Sequence, residues 1–167
     1  MGRIRDAACC PRMFTANPVP YALNQVMLYG AVVGLDEEMS ATGVRVCVRV
    51  QTQEGEAGFP VQLANRRALE LLAFHESHRQ MYPHEPFLVS LLGRLALADE
   101  ELVVVAEAIT FLVAPDVRLW GGRLLQSLLG RYVVLYGMPD WLPEAGHAPT
   151  PSRASPIPGG ANDVHPF

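Results

Sequence analysis

Apolar and polar side chains alternate strictly over residues 44–51. Valines occupy the four even positions, and Arg45, Cys47, Arg49 and Gln51 occupy the odd ones. A period of two is typical of a β-strand with one face in the core and the other outward. We therefore predict a strand whose outward face carries two arginines, roughly 13 Å apart at about 3.3 Å per residue.

One further strand is predicted before this one and one after it. Residues 23–35 are β-branched and apolar, with two internal glycines that indicate a bulge or a barrel corner. Residues 36–43 are polar and are predicted to form a turn. Residues 58–65 form the next predicted strand, in which Pro60 must lie at an edge or a bulge because it lacks a backbone N–H.

A helix and a hairpin complete the pattern. Residues 66–80 carry an apolar stripe at helical spacing, and Asn65 is expected to cap the helix. Residues 86–98 and 101–113 are apolar runs separated by a short acidic turn, so a β-hairpin is predicted. Three strands, a helix and two strands are the layout of the five-stranded OB-fold barrel. We predict an all-β OB-fold domain at residues 21–113, with another small β-barrel as the alternative.

The flanking segments have a different character. Residues 1–20 contain prolines without periodicity and are predicted to be an irregular arm. Residues 114–142 are predicted to be an extension, helical over 118–130 and strand-like over 131–136. Residues 143–167 are rich in Pro, Gly, Ala and Ser and are expected to be a disordered tail.

Composition restricts the class of protein. The 167 residues suit one domain with extensions, and half of them are apolar, so a core can form. No signal-peptide pattern is apparent, and the most apolar stretch, residues 102–113, is too short to span a bilayer. Cys9, Cys10 and Cys47 form no metal or disulfide framework, and Cys47 is expected to be a small core residue. We therefore expect a cytoplasmic protein that does not bind membranes.

Residues 22–112 resemble the bacterial single-stranded DNA-binding protein family, an OB-fold family of which this chain would be a divergent member. The run Leu23-Asn24-Gln25-Val26-Met27-Leu28-Tyr29-Gly30 is similar to its opening L-N-x-V-x-L-x-G, and Val89 with Gly93-Arg94-Leu95 matches its V-x-x-x-G-x-L. The resemblance implies binding of single-stranded DNA in replication, recombination or repair. It also implies a homo-oligomer, either a dimer or a tetramer.

The end of the given sequence carries a second resemblance. Asn162-Asp163-Val164-His165-Pro166-Phe167 is similar to the family's acidic tail tip, although His165 replaces an apolar residue. The resemblance implies that Asp163, Val164, Pro166 and Phe167 bind replication and repair proteins. The ring of Phe167 suits a pocket, and its terminal carboxylate suits a basic residue.

Single-strand binders combine positive charge with aromatic stacking platforms. The expected DNA-binding residues are Arg45, Arg49, Arg66, Arg67 and Arg94 for phosphates, and Phe59 and Tyr29 for bases. The chain departs from the family because its other stacking aromatics are absent. Residues 21–113 also hold six arginines against twelve acids, a net charge of −6, so weak binding is expected unless the arginines cluster.

Catalytic chemistry is not indicated. No nucleophile–base pair, phosphate loop or paired catalytic carboxylate stands out, so we expect no enzyme activity and no cofactor. His75 and His78 lie three residues apart on the predicted helix, but no third ligand is fixed by spacing, so no metal is expected.

Three functional hypotheses remain. The first is a single-stranded DNA-binding protein whose tail recruits partners. The second is a divergent OB-fold interaction subunit with weak DNA affinity, similar to the primosomal replication protein N branch or to a partner subunit of a true single-strand binder. The third is an unrelated small barrel that binds a small molecule or an oligosaccharide.

Overall fold

The computed structural model describes residues 17–18 and 24–142. Its elements in chain order are β1 (Asn17–Pro18), β2 (Val26–Ser40), β3 (Gly43–Gln51), β4 (Phe59–Ala64), α1 (Asn65–Met81), β5 (Leu88–Ala98), β6 (Glu101–Phe111) and α2 (Pro115–Tyr136). Neither helix in this part of the chain has the length and apolarity needed to cross a membrane.

Strands β2 to β6 close into a five-stranded barrel. β3 pairs antiparallel with β2 and β4, and β5 pairs antiparallel with β2 and β6. A short parallel pairing of β4 with β6, at Val61 and Gln62, closes the barrel. With α1 between the third and fourth barrel strands, this is the OB-fold topology, and the predicted fold class is confirmed.

The core follows from the alternation in β3. Val44, Val46, Val48 and Val50 are at most 1% exposed, and Leu63 and Leu91 from neighbouring strands join them. The buried side chains Ala68, Leu69 and Leu71 of α1 belong to the same core cluster. Complete burial of one such aliphatic side chain contributes about 1.5–3 kcal/mol, so this cluster is the main source of stability.

The hairpin between β5 and β6 forms as predicted. Asp99 and Glu100 have φ angles of 46° and 69°, and Ala98 pairs with Glu101 across them. Two consecutive positive φ angles define the type I′ turn, whose twist matches that of the two strands. Pro60 also meets its prediction, because β4 pairs with β6 only from Val61 onward and Pro60 precedes that pairing.

The predicted turn at residues 36–43 is wrong. β2 continues to Ser40, which pairs directly with Gly43, so the turn holds only two residues. The polar run is strand because β3 supplies a backbone partner for each residue, and its side chains are mostly solvated. The predicted irregularity in this strand is confirmed by a register shift between Val32 and Gly34.

The helix boundaries differ from the predictions. α1 includes Asn65, and Ala64 is the N-cap without a side-chain capping bond, so Asn65 is not the cap. α2 runs without a break through residues 131–136, which were predicted to be a strand. These residues are helical because Tyr132 is buried and its hydroxyl donates a hydrogen bond to the Ser40 carbonyl at 3.0 Å.

One short part of the predicted N-terminal arm is ordered as strand. β1 pairs antiparallel with Leu97 and Ala96 of β5. The side chain of Asn24 bonds to the neighbouring residue of β5, Leu95. Its amide group donates to the Leu95 carbonyl at 2.8 Å, and its carbonyl oxygen accepts from the Leu95 N–H at 2.7 Å. The predictions for the rest of residues 1–20 and for residues 143–167 lie outside the described residues.

Candidate nucleic-acid interface

The outward face of β3 and β4 holds two of the five arginines singled out from the sequence. Cross-strand partners share a face, and Arg45 lies opposite Ala64, whereas Arg49 lies opposite Pro60. The two arginines are therefore at different ends of this face, about 13 Å apart. On β2, Glu38 lies opposite Arg45, so the face also carries negative charge beside its arginines.

The centre of this face is covered rather than open. Cys47 lies opposite Gln62, and both residues are buried although they point away from the barrel core. Cys47 is completely buried, as expected, but it takes part in a disulfide bond, which corrects the expectation that the cysteines form no disulfide framework. The Nε2 atom of Gln62 is buried and makes no hydrogen bond within the described part of the chain.

Arg49 is held at the end of the face where β4 begins. Its Nη1 donates to the Gly58 carbonyl at 3.4 Å, and its Nη2 lies 3.6 Å from a carboxylate oxygen of Glu101. The arginine side chain is 28% exposed and that of Glu101 is 43% exposed. A pair this exposed contributes about 0–1 kcal/mol, so a phosphate group can displace the carboxylate at low cost.

Two more candidate arginines also have acidic partners. Arg94 forms an ion pair with Glu107 across the β5–β6 hairpin, and Arg66 is 2.9 Å from Glu70 one turn along α1. Arg67 is exposed at the start of α1. Most of the predicted positive charge is thus compensated locally.

Phe59 lies at the open mouth of the barrel, away from α1. It is opposite Val50, so it shares the inward face, but it is 49% exposed because it is the first residue of β4. The parallel register that aligns Val61 with Val104 places Leu102 beside it. Leu102 in turn pairs with Leu97, and these leucines are 55% and 46% exposed. The mouth is therefore an apolar, solvent-accessible patch.

Arg49 and Phe59 lie at the same end of the β3–β4 pair, although their side chains leave opposite faces of the sheet. Arg49 bonds to the carbonyl of Gly58, the residue directly before Phe59. Arg66 and Arg67 follow the other end of β4, roughly 20 Å along the chain from Phe59 at about 3.3 Å per residue. Tyr29 is exposed on β2, where its partner is Ser90 of β5. The seven candidates do not form one stripe.

A groove that the sequence analysis missed lies between β2, α1 and α2. Its volume is about 850 Å³, and its walls include Leu35, Leu72, Leu128 and Leu135. Three ionisable side chains on α1 also line it, namely His75, Glu76 and Arg79. Burial lowers the pKa of His75, and the positive charge of Arg79 lowers it further. Arg131 of α2 completes the polar rim.

A second cavity of about 630 Å³ continues this groove along the two helices. Leu124 lines both cavities, and the second one is also bordered by Met81, Trp120 and Arg123. The Arg123 guanidinium lies 4.9 Å from the centre of the Trp120 ring. Spacing could not reveal this groove, since its walls come from elements far apart in sequence. The exposed tryptophan beside paired glycines was the available signal.

Comparison with known proteins gives structural similarity without a sequence match. No protein-family model matches the chain, and no curated protein is significantly similar in sequence. The N-terminal domain of PriB from Thermoanaerobacter tencongensis is 15% identical, with a TM-score of 0.36 over 55% of this chain and 98% of that domain. The mitochondrial single-stranded DNA-binding protein Rim1 from S. cerevisiae is 16% identical, with a TM-score of 0.36 over 53% of this chain and 93% of Rim1.

A small single-stranded DNA-binding protein from Mycoplasma pneumoniae is 21% identical, with a TM-score of 0.33 over 56% of this chain and 88% of that protein. The OB-fold assignment itself rests on strand order and register.

Proposed function

We propose that the barrel binds single-stranded DNA with low affinity at its mouth, in replication, recombination or repair. The observation that supports this proposal is the hydrogen bond from Arg49 to the carbonyl of Gly58, the residue directly before Phe59, whose ring is 49% exposed at the start of β4. A guanidinium and an exposed ring at the same end of the barrel supply the two contacts that a nucleotide needs, one for its phosphate and one for its base.

The proposed affinity is low for two reasons. A stacked base contributes about 1–3 kcal/mol, and the expected DNA-binding residues include only two rings, Phe59 and Tyr29. The net charge of −6 over residues 21–113 opposes the approach of a polyanion. The remaining candidates, Arg45, Arg66, Arg67, Arg94 and Tyr29, would add peripheral contacts to a longer strand.

Fluorescence anisotropy of a labelled oligo(dT) at low salt tests the proposal. Each phosphate contact contributes about 0.7 to the slope of log K against log salt for single strands, so Arg49→Ala is expected to reduce the slope by about that amount. Phe59→Ala is expected to weaken binding roughly 10-fold through loss of stacking, with the slope unchanged.

Arg118→Ala is the matched control, because Arg118 is an exposed arginine on α2, outside the barrel. It is expected to bind oligo(dT) like the wild type. Absence of binding by the wild type at low salt, or equal losses in the Arg49 and Arg118 variants, would rule out the proposed site.

We further propose that the residues Asp163, Val164, Pro166 and Phe167 recruit replication and repair proteins. We also propose that the protein is cytoplasmic and forms a homo-oligomer, either a dimer or a tetramer. A self-contact is supported by Met27 on β2, which is 75% exposed. Apolar side chains at this exposure are frequent in protein interfaces. Size-exclusion chromatography of Met27→Glu against the wild type tests the self-contact.

A second candidate function is that of an OB-fold interaction subunit with little DNA affinity. It is favoured by the ion pairs of Arg49, Arg66 and Arg94, which leave the barrel little positive charge for phosphates. This candidate predicts capture of a replication protein by the wild type and not by Phe167→Ala, together with oligo(dT) binding that is the same in the wild type and in Arg49→Ala.

A further inference from the structure

The groove between β2, α1 and α2 combines apolar walls with arginine side chains. Leu72 of α1 lines one side, and Leu124, Leu128 and Leu135 line about 17 Å of α2, at 1.5 Å per helical residue. Its two connected cavities, of about 850 and 630 Å³, form an elongated space. That shape suits the side chains of an extended peptide better than a single compact ligand.

The charge of this region is opposite to that of the barrel. α2 contains three arginines and one aspartate, a net charge of +2, whereas residues 21–113 carry −6. Three arginines, Arg79, Arg123 and Arg131, and two acids, Glu37 and Glu76, border the groove, a net charge of +1. Arg79 is paired with Glu76 at 2.7 Å. A segment with an acidic residue and bulky apolar side chains is complementary to this surface.

Such a segment exists in the same chain, and the chain leaves the described region beside the groove. Trp141 packs on the ring of Tyr132 at 5.5 Å between centroids, and Tyr132 lines the groove. Twenty residues, 143–162, separate Leu142 from Asp163. A chain of that length spans roughly 25 Å, which exceeds the length of the groove.

We propose that residues 163–167 dock in this groove of their own chain. Val164 and Phe167 occupy the leucine-lined wall, and the Asp163 carboxylate pairs with Arg131. The docked tip is hidden from other proteins, so the groove competes with the proposed partners for the same side chains. A linker of this length gives an effective concentration on the order of millimolar, so even weak intrinsic binding keeps the groove mostly filled.

The two tryptophans of the chain, Trp120 and Trp141, both lie along the groove and report its occupancy. In the full chain, Asp163→Asn/Phe167→Ala is expected to increase acrylamide quenching of tryptophan fluorescence. A fluorescein-labelled peptide of residues 158–167 is expected to bind this double variant about tenfold more tightly than the wild type, whose groove is already occupied.

Groove variants locate the contact. Leu135→Asp is expected to abolish peptide binding in the Asp163→Asn/Phe167→Ala background, and Arg131→Glu to weaken it about tenfold. Val134→Asp is the matched control: Val134 adjoins Leu135 and is 85% exposed, but it does not line the groove. It is expected to bind the peptide unchanged. Both aspartate variants change solvent-exposed side chains, and circular dichroism checks their folding.

Equal quenching in the wild type and the tail variant, with no binding of the added peptide, overturns the proposal. A groove substitution that changes the sedimentation coefficient without changing peptide binding assigns the groove to a second copy, and one that abolishes oligo(dT) binding assigns it to nucleic acid. Either result also overturns the proposal. Oligo(dT) binding at the barrel mouth is measured separately with Arg49→Ala, so failure of one proposal leaves the other testable.

Discussion

Two adjacent glycines in α2 have opposite surroundings. A Cβ atom on Gly121 would lie 2.8 Å from the Phe74 ring of α1, whereas a Cβ on Gly122 would meet nothing within 4 Å. Gly121 therefore sets the close approach of the two helices, because a larger residue would push them apart. Gly122 contributes no such contact and costs helix stability through its backbone entropy.

Alanine substitutions are expected to separate these two roles. Gly122→Ala should raise the free energy of unfolding by about 0.5–1 kcal/mol, the usual gain for a helix interior. Gly121→Ala gains the same propensity but overpacks the Phe74 contact, which costs about 1–3 kcal/mol, so a net loss is expected. Urea denaturation of both variants measures the difference, and equal stabilities would contradict the packing argument.

His75 makes the stability of the protein depend on pH. Burial and the charge of Arg79 and, to a smaller extent, of His78 lower its pKa below the ordinary value of 6.5, whereas Glu76 acts in the opposite direction. The unfolded state therefore binds the proton more readily than the folded state between the two values. The free energy of unfolding is expected to fall as the pH drops through 6.5 towards the lower, folded-state pKa.

Denaturation at pH 7.5 and 5.5 tests this expectation. His75→Gln is expected to lose less stability over the interval than the wild type does, because the titrating group is gone. His84→Gln changes an exposed histidine and is expected to keep the wild-type loss. The same loss in all three proteins would mean that other groups cause the pH dependence.

At the scale of elements, the sequence pattern predicted a strand or turn correctly where the conformation depends only on residues within that element. The alternation in β3 and the two-residue turn at Asp99 and Glu100 needed no distant partner. The polar half of β2 and the last third of α2 do depend on distant partners. The strand is defined by pairing with β3, and the helix by burial of Tyr132. The bond of Arg49 to the carbonyl of Gly58, next to Phe59, could not be predicted for the same reason, since it depends on cross-strand register.

Tyrosine hydroxyls attach α2 to the end of β2. Tyr132 is 2% exposed and donates to the Ser40 carbonyl at 3.0 Å, whereas Tyr136 is 41% exposed and its hydroxyl lies 3.5 Å from the Met39 carbonyl. Tyr132→Phe is expected to cost about 1 kcal/mol because a buried hydrogen bond is lost. Tyr136→Phe should cost almost nothing, since water replaces its bond. Equal urea midpoints would show that apolar packing alone holds the helix.

At the scale of the whole molecule, two explanations of the proposed low DNA affinity differ in what they predict. One is the overall negative charge of the barrel, which repels any polyanion. The other is local: Glu101 and Glu107 form ion pairs with Arg49 and Arg94, so these two guanidinium groups are not available to phosphates. Glu54 and Glu85 are exposed acids that form no ion pair among the described residues, so they contribute to the first effect alone.

Matched double variants distinguish the two explanations. Glu101→Gln/Glu107→Gln and Glu54→Gln/Glu85→Gln change the net charge equally, and long-range repulsion beyond about 8 Å is screened at physiological salt. We therefore expect the first variant to bind oligo(dT) more tightly, with a steeper salt dependence as the freed arginines reach phosphates. The second variant should show a gain only at low salt. Equal gains at 150 mM salt would make net charge, rather than local pairing, the factor that limits DNA binding by this barrel.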